Sequence, residues 1–336
     1  MIMNMREWCR SIINAPVKKA VPILSFPCVQ LQNITVSELI CDSDRQAEGM
    51  KLVADRCAAG ASVAMMDLSV EAEAFGATVR VSDDEVPTVI GKLLQEPEDA
   101  DTLQVPAVGA GRTGLYVAAI AKACQRITDR PVFAGTIGPF SLAGRLMGMS
   151  EIMMNCFDEP EMVHTTMTKA TDFLIAYIRA FRDAGANGVC IAEPAAGLLS
   201  PDLAEEFVMP YTRRLIDAVQ EDTFAVMLHN CGNSVVRYLD LWQENHAMAY
   251  HFGNAVNMED VLKGMPSDVL VMGNVDPAGE FRHGTPDSIR ESTRKILEAC
   301  SRYPNFVISS GCDIPPASSW KNIDAFFSAV DIFYAG

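Results

Sequence analysis

Short apolar runs alternate with longer segments of helical periodicity along the whole chain. Eight runs are almost continuously apolar, as strands of a parallel sheet covered on both faces should be. They span residues 21–26, 61–67, 131–138, 187–193, 223–229, 247–252, 268–274 and 305–311. The intervening segments are predicted to be helices, among them 158–185, 200–220 and 285–303. This alternation predicts an α/β fold, a (β/α)8 TIM barrel.

Local signals indicate several helix starts and one excursion from the barrel pattern. Ser200 and Thr285 each stand directly before a proline, which is typical of a helix N-terminus. Asp158 is predicted to cap the long helix that follows it. Residues 75–89 predict a short hairpin between the second and third strands, and a helix is predicted from about residue 112.

Length and charge limit the organisation of the protein and its partners. The 336 residues show no linker or repeat, so residues 1–336 are predicted to form one barrel domain with a short helical N-terminal extension. The net charge of −16 repels phosphate backbones and anionic lipid, so neither a nucleic acid nor a membrane partner is expected. Ten scattered cysteines without a C-x-x-C pair, and a first segment unlike a signal peptide, predict a cytoplasmic protein with reduced thiols.

Polar and metal-binding residue types recur where the predicted strands end. In a parallel barrel these carboxyl ends form one rim, and catalytic groups collect there. The residues at the predicted rim are Asp67, Glu71, Glu193, His229, Cys231, His251, Asn254, Asn274, Asp276 and Cys312.

Three of these residue types are those that zinc prefers. His229 and Cys231 lie two positions apart after the fifth strand, and Cys312 follows the last strand. Three protein ligands of this kind, with one open position, are typical of catalytic zinc. The alternative is a buried histidine and cysteines that bind nothing, because cysteine is commonly a core residue. Two thiolates would neutralise Zn²⁺, which suits deprotonation of an incoming thiol and predicts alkyl transfer to sulfur.

Six segments resemble a known family. They occur in the family's order and resemble the uroporphyrinogen decarboxylase superfamily, more narrowly its zinc-dependent methylcobamide:coenzyme M methyltransferase branch. The segments are "EAEAFGA" (71–77), "IGPFSLAGRLMG" (137–148), "EPAAGLLSP" (193–201), "LHNCGN" (228–233), "GNVDP" (273–277) and "SSGCDIPP" (309–316).

The resemblance implies a fold, a cofactor and a partner. It implies a (β/α)8 barrel in which His229, Cys231 and Cys312 bind zinc, and zinc binds the acceptor thiol. The methyl group is then expected to come from a methylcobamide, a corrinoid carried on a small partner protein. Glu193 matches the acidic position after the fourth strand, as a fourth ligand that the thiol displaces or as a rim carboxylate hydrogen-bonded to its loop. Coenzyme M, homocysteine and another thiol all remain open as acceptors.

Further rim residues are assigned roles with open alternatives. Asp67, with Glu193, is a catalytic candidate, and Asp67 or Glu71 could take the thiol proton or orient a ligand, unless these are only loop charges. Glu71 is assigned to substrate binding.

Three more residues complete the predicted substrate-binding set. His251 is a candidate to support a ligand or to contact the corrinoid, or it is a satisfied core histidine. Asp276 could accept a hydrogen bond from His229 or cap the next element. Asn274 ends the strand just before Asp276 and is placed at the same rim.

Two rival functions are considered. The arginine-rich loop of tetrapyrrole decarboxylases is absent from residues 25–39, so a lyase reading requires another polycarboxylate and cationic groups at the barrel mouth, of which Arg145 is the best candidate. The other rival is a non-enzymatic corrinoid- or tetrapyrrole-binding protein. Residues 109–114, "GAGRTG", lack the lysine of a phosphate loop and are predicted to open a helix.

Overall fold

The computed structural model describes residues 3–336 as a barrel of parallel strands surrounded by helices, which confirms the predicted fold class. The strands are β1 (Ser62–Val63), β2 (Thr78–Arg80), β3 (Thr88–Ile90), β4 (Val132–Ile137), β5 (Gly188–Ala192), β6 (Ala225–Asn230), β7 (Ala249–Phe252), β8 (Leu270–Val275) and β9 (Phe306–Ser310). The main sheet has the order β1-β4-β5-β6-β7-β8-β9, with every neighbouring pair parallel. The predicted hairpin is confirmed as the antiparallel pair β2–β3.

Helices follow the strands in the order that the sequence pattern predicts. They are α1 (Met5–Ile13), α2 (Cys28–Gln32), α3 (Val36–Ile40), α4 (Ser43–Arg56), α5 (Val70–Ala74), α6 (Pro97–Thr102), α7 (Thr113–Arg126), α8 (Pro139–Met147), α9 (Met149–Asp158), α10 (Pro160–Asp183), α11 (Pro201–Phe207), α12 (Met209–Val219), α13 (Leu239–Gln243), α14 (Met258–Gly264), α15 (Pro286–Cys300) and α16 (Trp320–Ala335). Short 3₁₀ turns occur at Ala195–Leu198 and Val235–Tyr238, and a π-helical turn at Pro277–Arg282. Within the described chain, no helix is both long and apolar enough to cross a membrane.

The predicted first strand, residues 21–26, is not a regular strand. It nevertheless closes the barrel, because the Val21 amide donates to Ile308 in β9 at 3.1 Å and the Ser25 hydroxyl donates to Val63 in β1 at 2.6 Å. Pro22 has no N–H to donate to a ladder, and the Ile23 amide donates to a serine hydroxyl rather than to a carbonyl. Side-chain hydrogen bonds therefore replace part of the missing strand pairing.

Alternate strand positions point into the barrel and build its interior in layers. Inward positions near the amino ends of the strands carry apolar side chains such as Phe133, Ala225 and Leu270, and helix α1 packs Met5 and Cys9 beneath them. Side chains two residues apart on a strand point to the same side, so the next inward positions lie closer to the carboxyl end of the barrel. In β6, for example, Met227 is followed at the next inward position by His229. The polar side chains at the carboxyl end of the barrel therefore lie directly above an apolar layer.

Two of the three predicted helix caps are confirmed. The Ser200 hydroxyl accepts a hydrogen bond from the Leu203 amide, and Thr285 forms a capping box with Ser288. The prediction for Asp158 is wrong, because this residue ends α9 and the next helix begins at Pro160 with no side-chain cap.

Candidate metal centre

The structure brings His229, Cys231 and Cys312 together at the carboxyl end of the barrel. His229 lies in β6, Cys231 follows the same strand, and Cys312 follows β9. One ligand atom from each residue lies within 4.8 Å of the other two. Bonds of about 2.0–2.3 Å to a shared zinc ion are compatible with such spacing. The structure therefore shows the proximity that a metal site needs, and the binding of an ion stays a prediction.

Glycines allow the loops that carry these ligands to approach one another. A Cβ atom on Gly253, after β7, would lie 2.6 Å from Cα of Cys231 and 3.1 Å from the carbonyl of Gly311. A Cβ atom on Gly197 would lie 2.5 Å from Cα of Gly232. Real Cβ atoms essentially never come within 3.0 Å of such neighbours, so the contacts to Cys231 and Gly232 mean that side chains at these positions would force the loops apart. Glycine thus sets the position of Cys231 relative to the strand ends around it.

A chain of hydrogen bonds determines which nitrogen of His229 is free. The Ser309 hydroxyl donates to the Val21 carbonyl at 2.8 Å, so it accepts from Nε2–H of His251 at 2.7 Å. Burial lowers the pKa of His251 well below its ordinary value, so the ring is neutral and its Nδ1 is an acceptor. That atom accepts the Nδ1–H of His229 at 2.8 Å.

The consequence is a lone pair on Nε2 of His229. This atom is buried and has no hydrogen-bond partner among the described residues. Buried polar atoms normally have partners, and a neutral imidazole nitrogen without a proton is the form that binds zinc. The orphaned nitrogen and the two nearby sulfurs are therefore a donor set that fits zinc.

A hydrogen bond links the side chains of the two cysteines. A hydrogen bond from the Cys312 thiol and the neighbouring His229 ring lower the pKa of Cys231, against the opposing effect of burial. The same interaction and burial raise the pKa of Cys312. The hydrogen bond therefore favours the thiolate form of Cys231 and the thiol form of Cys312, and a divalent cation would replace it by two bonds to sulfur.

Glu193 lies beside the ligands, on the end of the neighbouring strand β5. Its carboxylate is fully buried and accepts hydrogen bonds from the Phe140 amide at 2.9 Å and from the amide and hydroxyl of Ser141, at the start of α8. Burial raises the pKa of Glu193 to about 7, although these hydrogen bonds oppose the rise. Of the described residues, the cluster within 4.8 Å contains His229 and the two cysteines and does not include Glu193.

Comparison with known proteins gives the family. The profile described as uroporphyrinogen decarboxylase (URO-D) matches residues 15–333. The chain belongs to the uroporphyrinogen decarboxylase family. This confirms the resemblance found in the motifs of the sequence.

Named relatives within this family fall into two groups. A methylcobamide:CoM methyltransferase of Methanosarcina acetivorans is 28% identical over 261 residues, which cover 76% of this chain and 75% of that protein. A uroporphyrinogen decarboxylase of Myxococcus xanthus is 29% identical over 260 residues, which cover 74% and 72%. The structure of a methyltransferase from Methanosarcina mazei superposes with a TM-score of 0.86 over 98% of both chains at 22% identity, a likeness of fold.

In this family member the Asp67 carboxylate is saturated with hydrogen bonds. One oxygen accepts from the amide and hydroxyl of Ser69, and the other accepts from the Arg112 guanidinium and from the Tyr116 hydroxyl at 2.6 Å. A carboxylate has about four lone-pair positions, and all are used here. Arg112 also donates to Glu73 at 2.8 Å. The sequence segment 109–114 does open α7 as predicted, but the role of its arginine was not predicted.

Replacing Arg112 with methionine is expected to destabilise the fold. Asp67 has a fully buried side chain, and the side chain of Arg112 is 11% exposed, so the substitution leaves a buried charge without its partner. The expected loss is about 3–5 kcal/mol in the free energy of unfolding, measured by urea denaturation. The double variant with Asp67→Asn should recover part of this loss, and an equal loss in both variants would contradict the argument.

The remaining predicted substrate-binding residues lie in supporting positions. Glu71 accepts from the Thr136 hydroxyl at 2.6 Å, behind β4 and outside the barrel interior, and burial raises its pKa to about 7. The Asn274 amide donates to the carbonyls of Gly253 and residue 256, so it holds the loop that packs against Cys231. Asp276 caps the π-helical turn, the alternative that the sequence left open, and His229 bonds to His251 rather than to Asp276.

Asp313 is a site residue that the sequence analysis missed. It directly follows the candidate ligand Cys312, and one carboxylate oxygen accepts from the Met66 amide at 2.8 Å. The other oxygen is buried without a partner among the described residues, and burial raises the pKa of Asp313 to about 8. The only signal in the sequence is its position inside "SSGCDIPP", beside a predicted ligand.

Proposed function

We propose that this protein is a zinc-dependent methyltransferase that moves a methyl group from a methylated corrinoid to a thiol such as coenzyme M. One observation carries the proposal: a buried histidine nitrogen, without a hydrogen-bond partner among the described residues, and two cysteine sulfurs lie within 4.8 Å of one another at the mouth of the barrel. Methylcobamide:CoM methyltransferases among the relatives support the same chemistry. We infer zinc and a thiol acceptor from the set of donor atoms together with this similarity.

His229, Cys231 and Cys312 would hold the ion. When bound, zinc lowers the pKa of a thiol that coordinates it, so that a thiolate nucleophile is available at neutral pH. His251 keeps the Nε2 lone pair of His229 available to the ion, because its Nδ1 accepts the Nδ1–H of His229. Ser309 holds the His251 ring in this orientation, because its hydroxyl accepts the Nε2–H of His251. Gly253 and Asn274 keep Cys231 in place.

The acceptor thiol must lose a proton, and the carboxylates differ in their ability to receive it. Asp67 uses all its acceptor positions within the Arg112 network, so we assign it to positioning that network rather than to proton transfer. Asp313 has an oxygen without a partner among the described residues and adjoins Cys312. Asp313, with Glu193 as the second candidate, is therefore the better-placed acceptor.

A small corrinoid protein is the proposed methyl donor, and it must cover the barrel mouth to bring the methyl group to the thiol. Two apolar side chains at this end support a covered surface: Leu198, after β5, is 62% exposed, and Val236, after β6, is 38% exposed. The acceptor thiol enters the same opening.

The proposal is tested with metal-depleted and zinc-reloaded protein. Methylcob(III)alamin and 2-mercaptoethanesulfonate are supplied, and loss of the methyl-cobalt absorption is followed together with formation of the thioether. We expect methyl transfer with zinc-loaded protein and almost none after depletion. Release of CO₂ from an added polycarboxylate by metal-free protein would support the decarboxylase instead. Tight corrinoid binding without turnover in either form would support a binding protein.

A further inference from the structure

Arg145 in α8 is a partly buried cation without a partner. Among the described arginines that are not exposed, it alone makes neither a hydrogen bond nor an ion pair with the rest of residues 3–336. A charge removed from water without a counter-ion is costly, and burial lowers the pKa of Arg145 in keeping with that cost. A partly buried guanidinium without a counter-ion can bind an anion from outside the chain.

A cavity of about 240 Å³ lies against this arginine. Its other walls are apolar with one exception, Thr88. They come from two places, the segment after β1 (Met66 and Leu68) and the hairpin (residues 86–89). The volume is near the lower end for small-molecule pockets, which begin at about 300 Å³, and is far too small for a corrin ring. A small acid with a short aliphatic part matches the cavity in size and in character.

The cavity adjoins the candidate metal centre through two hydrogen bonds. The Met66 amide, in its wall, donates to Asp313, the residue after Cys312. Ser141, one helical turn before Arg145 on the same face of α8, donates to Glu193 at the end of β5. The wall of the cavity is therefore hydrogen-bonded to the segment that carries Cys312, and the helix of Arg145 is hydrogen-bonded to Glu193.

A second partly buried arginine at this end of the barrel, Arg112, is already paired within the protein. Arg112 donates to Asp67, Ser69 and Glu73, so its anion requirement is met inside the protein. The net charge of −16 makes most of the surface unfavourable to anions. Arg145, partly buried and without a partner among the described residues, then offers an anion a binding position beside the site.

We propose that Arg145 binds the anionic group of the acceptor thiol, a sulfonate or a carboxylate, in the cavity between α8 and the β2–β3 hairpin. This rests on the proposed function for the thiol end of the molecule. The planar guanidinium forms two parallel hydrogen bonds to such a group, and the apolar walls contact its methylene carbons. The acceptor is accordingly a short anionic thiol, not a neutral one.

The first test compares acceptors in methyl transfer by zinc-loaded protein. The series is 2-mercaptoethanesulfonate, 3-mercaptopropionate and neutral 2-mercaptoethanol, assayed with wild type, Arg145→Met and Arg145→Lys. For the preferred anion, Arg145→Met should lower kcat/KM about 10- to 100-fold, the usual effect of losing a charged hydrogen-bonded pair. The lysine variant should fall between, because it keeps the charge and loses the planar fork. Activity with 2-mercaptoethanol and the zinc content should not change.

The second test needs no turnover. Binding of ethanesulfonate and of propionate, which lack a thiol, is measured by ligand-observed NMR; the stronger of the two identifies the anion class. Arg145→Met should abolish this binding, and Arg10→Met, an exposed arginine of α1 at the opposite end of the barrel, should not. In one outcome the wild type binds the anion without transferring a methyl group. If the Arg145 variants alone then lose anion binding, the proposed function fails and the anion site stands. Equal anion binding by wild type and Arg145→Met overturns the site.

Discussion

Replacing Cys312 with serine is expected to empty the metal centre and to abolish methyl transfer. The substitution removes one of three ligand atoms that lie within 4.8 Å, and it also removes the thiol whose hydrogen bond lowers the pKa of Cys231. A histidine and one thiolate hold zinc far more weakly than three ligands. Zinc should fall from about one ion per chain to a small fraction of that, and the rate should fall about 10³-fold.

The control for Cys312→Ser is Cys41→Ser, which also removes one thiol but lies exposed after α3. Zinc is measured by elemental analysis, and cobalt substitution gives a second readout through the sulfur-to-metal absorption band. The control should keep both the metal and the band. Zinc retained at one equivalent in folded Cys312→Ser protein would show that residue 312 is not a ligand.

Replacing His251 with leucine is expected to weaken zinc binding although His251 is not itself among the ligand atoms within 4.8 Å. It removes the acceptor for Nδ1–H of His229, which lies 2.8 Å away in a fully buried position. Without that acceptor, the tautomer of His229 that carries its proton on Nε2 becomes more favourable, and a protonated Nε2 cannot bind a metal. Loss of such supporting groups usually lowers metal affinity about 10- to 100-fold. Competition with a zinc chelator measures this change.

The tautomer itself is measurable in metal-free protein. With five histidines in the chain, ¹⁵N-histidine labelling gives few signals, and long-range ¹H–¹⁵N NMR reports which ring nitrogen carries the proton. Wild-type His229 should be protonated on Nδ1, and His251→Leu should shift the proton to Nε2. His164→Leu is the matched control, because His164 pairs with Tyr211 on the outer helices. A wild-type His229 protonated on Nε2 would refute the hydrogen-bond chain.

Much of the site is readable in the sequence because it depends on chain-local features. His229 and Cys231 are two positions apart, and both follow an apolar run that must end at the rim of a parallel barrel. Cys312 ends another such run, so the fold prediction alone brings it to the same rim. The hairpin and the helix starts at Ser200 and Thr285 are likewise decided by residues within a few positions of one another.

Other features arise only when distant parts of the chain meet. The sequence offers Asp276 as one candidate partner of His229, but the strand register places His251 opposite His229. Asp67 was assigned to catalysis, and only the fold brings Arg112, 45 positions away, against it. No local pattern specifies which lone pairs remain free once such contacts form.

The fold class, the family and three candidate metal ligands can be predicted from the sequence alone, because periodicity and strand ends are local properties of the chain. The remaining features became visible only in the folded structure. It showed that residues 21–26 close the barrel without a regular strand, that Asp313 has an oxygen unpaired among the described residues, and that Arg145 faces a cavity. These three features depend on contacts between elements that are far apart in the chain. Whether a polar group there has a hydrogen-bond partner is decided only when the chain has folded.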